Sequence, residues 1–190
     1  MVRQLLKSLA EGGLTSVSKR IGADEKTTET ALMAVVPLLL SALAKNSSQP
    51  GGAGSLQQAL SDDHDGSILN NLGDYLNNPE SANGDGILRH IFGEKQSTVT
   101  RGLANGTSLE QNQIGELLRI AAPLVMGMLG KQSRPGDSGG SSVSAILGAQ
   151  TRQVGRSNPG LLGILNTLLD SDGDGSAVDD IMGMIGKSRR

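Results

Sequence analysis

The chain has 190 residues and a formal net charge of −2, with no cysteine, no tryptophan, one tyrosine and one phenylalanine. That length suits one domain or two small ones, and the missing cysteines exclude disulfides, thiolate metal sites and thiol catalysis. A slightly acidic balance with almost no aromatics supplies neither the basic field nor the stacking platforms that nucleic-acid binders use.

A hydrophobic share of 36% is enough for a core, and that core has to be aliphatic because Tyr75 and Phe92 stand alone as aromatics. Apolar residues recur at helical spacing, while period-two alternation never persists, so the expected fold class is all-α, a multi-helix bundle. In chain order the pattern predicts helices over 3–10, 14–21, 25–45, 55–60, 67–77, 86–93, 95–104, 109–131, 142–155, 159–169 and 177–187. Asp24 suits the N-cap of the third helix, and Ser108-x-x-Gln111 reads as a capping box. Asn158-Pro159 reads as an N-cap followed by proline at the first helical position. Pro37 and Pro123 fall inside long apolar runs and are expected to kink or divide the long helices. The start, MVRQLLKSLAEGG, lacks the long apolar stretch of a signal peptide. The run Ala31–Ala44 is too short for a bilayer and reads as a buried core helix. A cytoplasmic setting, no membrane association and no nucleic-acid partner are the expectations.

The chain repeats itself. PLLLSALAKNSSQPG from Pro37 lines up with PLVMGMLGKQSRPG from Pro123 at a constant offset of 86: Pro37 with Pro123, Leu38 with Leu124, Leu43 with Leu129, Lys45 with Lys131 and Ser47 with Ser133. One deletion then aligns Pro50 with Pro135, and upstream Gly22 to Asp24 stand opposite Gly106 to Ser108. Five identities at one spacing predict an internal duplication of a unit of about 86 residues. The expected organisation is a first helical repeat over 1–94 and a second over 95–190, which are free to pack as one domain.

Three stretches are familiar in combination: LLLSALAKNSSQPGGAGSLQQALSDDHDGSILNNL, then GDGILRHIFG, then LLRIAAPLVMGMLG. Over roughly residues 3 to 131 the chain resembles a bacterial family of unknown function, DUF 937. The resemblance implies an all-helical fold in a bacterial, cytoplasmic setting. It implies no activity, no cofactor and no catalytic residues.

Near the C-terminus, Asp170-Ser-Asp172-Gly-Asp174-Gly175-Ser176 is similar to the first half of an EF-hand loop. Calcium takes six to eight oxygens, and the D-x-D-x-D-G spacing turns three carboxylates inward, with Ser176 offering its backbone carbonyl. Loop position twelve, where an EF-hand has a bidentate Glu, is Ile181, so Asp179 or Asp180 would have to close the site. Ser176-x-x-Asp179 also reads as a plain capping pair at an acidic helix start. Ser61 to Asn71 follows the same frame with Asp63 and Asp65, and Ser81 to Gly86 follows it with fewer oxygens. His64 and His90 are isolated in sequence, which argues against zinc.

Two strings mislead. Gly136-Asp137-Ser138-Gly139-Gly140 spells the segment around a chymotrypsin-type nucleophile, but that chemistry needs a supported Ser-His-Asp set, and the string falls where Pro50 to Ser55 form the matching interhelical loop. Gly186-Lys187-Ser188 resembles the end of a P-loop, but the glycine that should stand five residues earlier is Ile181. The expected function is therefore a non-enzymatic helical module for a protein partner or for self-assembly, with no catalytic residues and calcium as the one candidate cofactor. The alternative is a calcium-binding sensor or regulatory protein acting through residues 170–180.

Overall fold

The computed structural model describes residues 2–9, 12–133 and 142–149, and every regular element among them is helical. In chain order they are α1 (Val2–Leu9), α2 (Gly13–Ile21), α3 (Glu25–Ser48), α4 (Gly52–Asp62), α5 (Ser67–Asn70), α6 (Leu72–Asn77), α7 (Gly84–Phe92), α8 (Gln96–Gly106) and α9 (Gln111–Ser133). Short 3₁₀ turns over Pro79–Ala82 and Gly93–Lys95 precede α7 and α8, and residues 143–149 are also helical.

Two helices organise the rest. On α3, the run from Val35 to Leu43 is buried without interruption, and on α9 so is the run from Ile120 to Gly130. A helix that is apolar on every side cannot face water and has to be enclosed. Accordingly α3 and α9 pack on one another, α1, α2, α4, α7 and α8 touch both, and α5 packs on α9. A single hydrophobic cluster results, drawn from Leu5 through to Leu147 and so from both of the ranges 1–94 and 95–190. The Glu25–Ser48 helix is long and apolar enough to cross a membrane by length and composition alone, but 67% of its most apolar window is buried inside the protein.

Both prolines lie within continuous helices, so neither long helix is divided. A proline removes the bond to the carbonyl four residues back. At Pro37 that carbonyl belongs to Met33, whose turn faces outward, since Met33 is 42% exposed. At Pro123 it belongs to Arg119, and the backbone of Gly84 at the start of α7 lies directly against that oxygen, where a Cβ would overlap it.

Local signals place most helix ends. Asp24 caps α3 as expected, accepting from the Thr27 N–H at 2.9 Å. At α9 the start is Gln111, not 109, so Ser108 is not its cap. Gln113 reaches back to accept from the Glu110 N–H at 2.9 Å, the reciprocal half of a capping box shifted along the chain by two residues. The predicted helix 67–77 is broken at Asn71, which has φ −118° and ψ 39° and donates from its side chain to the Ser67 carbonyl at 3.4 Å. Such local bonds compete with the helix ladder. The Gly/Ser loop expected after Pro50 is also shorter than predicted, because Gly52 to Ser55 already belong to α4.

Side-chain amides then join the elements. The Gln113 Nε2 donates to the Ile21 and Gly22 carbonyls at 3.1 and 3.0 Å, closing the end of α2 from α9. The Asn46 Nδ2 donates to the His90 and Ile91 carbonyls at 3.2 and 3.1 Å, closing the end of α7 from α3. In each case carbonyls of a last helical turn, which lack an intrahelical donor, are satisfied by a distant helix.

The tightest backbone approach is at α9. A Cβ on Gly130 would overlap the His64 carbonyl oxygen, and neither partner is a side chain that can swing away. Gly130→Ala is expected to destabilise the protein by about 1–3 kcal/mol through overpacking. Gly115→Ala on the same helix meets only the Arg119 Nη2, at 3.9 Å, and is expected to stabilise by roughly 0.5–1 kcal/mol through helix propensity. Urea unfolding of the two variants beside the parent checks both signs.

Candidate functional site

The segment that leaves α4 at Asp63 and returns as α7 builds a cleft-bearing part of the surface. Gly66 holds φ 94°, a conformation that side chains resist, and it lies against Lys131 and the Gly127 carbonyl of α9. The glycines of α9 therefore make a notch that receives residues 64–68, with α5 packed on α9 beside it and α6 packed on α2. Asn83 is the one described non-glycine residue with positive φ, at 50°. Its side chain accepts from the Gly86 N–H at 3.2 Å and starts α7.

Two adjoining clefts open between these elements. The larger, about 580 Å³, has Asp63, His64, Ser67, Asn71, Asp74 and Asn78 along its polar wall. The smaller, about 260 Å³, lies between α3, α4 and α7 and is floored by Leu43, Leu56, Ile87, Ile91 and Met126, with Ser55 at its edge. His64, Asn83 and Ile87 line both, so the two clefts form one groove with a polar part and an apolar part.

The chemistry of the groove is restrained. Burial pushes the His64 imidazole below its ordinary value, and the charge of Asp63 acts in the opposite direction. Burial dominates, which favours the neutral ring. Asp63, His64 and Ser67 share a wall, and among the described residues burial and the charge of Asp63 are what act on His64. Asp65 is turned to the backbone, its Oδ1 accepting from the Ser67 N–H at 2.9 Å, and the Ser81 Oγ donates to the Asn78 carbonyl.

The candidate metal ligands fare differently by region. Asp170, Asp172, Asp174, Ser176, Asp179 and Asp180 lie outside the described residues, as do the 136–140 and 186–188 strings. Among the described residues, those of the 61–71 loop included, no three His, Asp or Glu side chains come together to hold an ion. At the 81–86 loop the oxygens serve the fold, with Asn83 capping α7 and Asp85 paired to Arg119 at 3.2 Å. The two histidines, isolated in sequence, line the same apolar cleft.

Beside the groove an ion network ties the elements together. Glu116 of α9 binds Arg20 of α2 at 2.9 Å and Arg119 at 2.7 Å. Arg20 also reaches Glu80 at 3.5 Å. Beneath it Tyr75 is buried, and its hydroxyl donates to the Ile120 carbonyl at 2.8 Å, one turn before Pro123. Sequence reading missed Tyr75, Asn46 and Gln113. Only Gln113 left a local trace, as a Gln at the third helical position.

Burial raises the Tyr75 phenol far above its ordinary value, with Arg20 opposing and Glu116 adding to the rise. A raised phenol pKa means that folding favours the neutral form, so its contribution is complete below about pH 10 and is lost as pH climbs towards the folded value. Tyr75 is the single tyrosine and there is no tryptophan, so tyrosinate absorbance reports on it alone. Absorbance is expected to lag behind that of a free phenol and to rise together with loss of helical circular dichroism. Tyr75→Phe, which removes the bond to Ile120, is expected to cost about 0.5–1.5 kcal/mol and to flatten the alkaline fall in stability.

A family model described as "Bacterial protein of unknown function (DUF937)" matches residues 3–132. Searches of curated proteins and of solved structures return no match. The matched span runs from α1 to the last turn of α9 and includes both parts of the groove. The chain belongs to the DUF937 family of bacterial proteins.

Proposed function

We propose that the protein is a non-enzymatic helical module that holds a protein partner, another copy of itself included, through the groove between α3, α4, α6 and α7. One observation carries this reading: an apolar cleft of about 260 Å³ opens directly into a polar one of about 580 Å³. An apolar floor with a polar border is how protein interfaces are built, with a desolvated centre inside a wetter rim.

A doubled ancestral unit belongs to the same proposal. The order of a short helix, a long proline-containing helix and a further helix occurs as α2–α3–α4 and again as α8, α9 and residues 143–149. The last member of each series buries an i,i+4 pair, Leu56 with Leu60 and Val143 with Leu147.

Ser55 is exposed at the edge of the apolar cleft, so Ser55→Trp fills that cleft with little effect on folding. Association, read by sedimentation over a concentration series and by pull-down from bacterial extract, is expected for the parent and strongly reduced for Ser55→Trp. A strict monomer that retains no partner would overturn the reading.

The D-x-D-x-D-G spacing supports a second reading, calcium-dependent stabilisation or sensing through Asp170, Asp172, Asp174, Ser176 and Asp179 or Asp180. An ion that binds only the native form raises the melting temperature. Millimolar calcium is expected to raise the Tm of the parent and to leave that of Asp172→Ala with Asp174→Ala unmoved. Equal shifts in both proteins, or none in either, reject it.

A further inference from the structure

The charges around the groove are unevenly resolved. Glu80, Asp85 and Glu116 are each matched by Arg20 or Arg119. Asp63 and Asp74 are not: both are exposed on the wall of the polar cleft, and neither forms an ion pair among the described residues. Among the described residues, no lysine or arginine lines either part of the groove. Stability does not account for Asp63, which occupies the C-cap of α4, where the negative end of the helix dipole opposes a carboxylate. The groove thus offers two carboxylates that form no ion pair among the described residues, beside an aliphatic floor formed by Leu43, Leu56, Ile87 and Met126. The apolar part, about 260 Å³, is continuous with the polar part, about 580 Å³, so a segment that spans both meets an aliphatic seat and an acidic wall together.

We propose that the occupant of the groove is a peptide segment of a partner protein that sets aliphatic side chains into the cleft between α3, α4 and α7 and places a lysine or arginine against Asp63 and Asp74. This rests on the groove reading above and adds the chemistry of the partner. Burial of apolar side chains supplies affinity. The two carboxylates set direction and discriminate against acidic segments, for which like charges meet at the polar wall.

The test uses the full chain labelled with nitrogen-15 and two probes, acetyl-Leu-Ile-Gly-Lys-Arg-amide and acetyl-Leu-Ile-Gly-Glu-Glu-amide. The basic probe is expected to shift amide signals around Ser55, Asp63 and Asp74 and to bind at least roughly tenfold more tightly than the acidic one. Asp63→Asn with Asp74→Asn, two exposed positions, is expected to erase that preference while leaving the fold intact. Ser55→Trp is expected to remove binding of both. Equal affinity for the two probes, a preference that survives the double Asn variant, or no shift at millimolar probe overturns the proposal. If Ser55→Trp abolishes association in sedimentation or pull-down while the probes show no charge preference, the groove reading stands and this inference falls. If Ser55→Trp changes neither, both fall.

Discussion

From Ile120 to Gly130, α9 has no polar side, and from Val35 to Leu43 neither has α3. Helices of this kind are stable only when wrapped, because each exposed aliphatic side chain forgoes about 1.5–3 kcal/mol of transfer free energy. The two therefore pack against one another, and the shorter helices close around them. Every other feature of the molecule is a way of covering that pair with segments too short to be stable alone. Aromatic residues contribute little to this, so close approach takes the place of bulk. Small residues on α9 let the chain at 64–68 settle directly on its backbone, and Gly84 does the same at the carbonyl that Pro123 leaves open.

Wrapping creates its own difficulty, since many short helices have many ends. Each end exposes carbonyls or N–H groups that burial would make costly. The protein answers with side-chain amides that reach across the fold: Asn46 serves the end of α7, and Gln113 serves both its own helix and the end of α2. Among the described residues no buried side-chain nitrogen or oxygen is left without a partner. The same economy engages two of the described carboxylates that resemble metal ligands in sequence: Asp65 holds a turn and Asp85 an ion pair.

The groove is where covering is incomplete. The surface between α4 and α7 is left open at the level of His64 and Asn83. Its floor belongs to the central core and its wall to polar side chains of residues 63–78. The proposed binding role follows from that junction of an aliphatic floor with an acidic rim whose Asp63 and Asp74 form no ion pair among the described residues.

Much of the fold was legible in the sequence. Helical periodicity predicted α1 to α9 to within a few residues, Asp24 was correctly read as a cap, and the motifs from Leu38 to Gly130 carried the family resemblance. These depend on neighbours within a turn or two, which is the range over which periodicity and capping act. The errors were also local in origin: Ser108 was read as a cap where Gln113 acts, Asn71 was read through, and Gly52 was assigned to a loop. The groove was not legible, because its parts are far apart along the chain. Asn46 meets His90 and Ile91 across 44 and 45 positions, Tyr75 meets Ile120 across 45, and Arg20 meets Glu116 across 96. By itself the sequence determined that the chain would be helical, aliphatic in its core and a member of its family. Only the tertiary structure decided that His64 and His90 would line one cleft and that Asp63 and Asp74 would share one wall, because those neighbours are set by how α3 and α9 are enclosed.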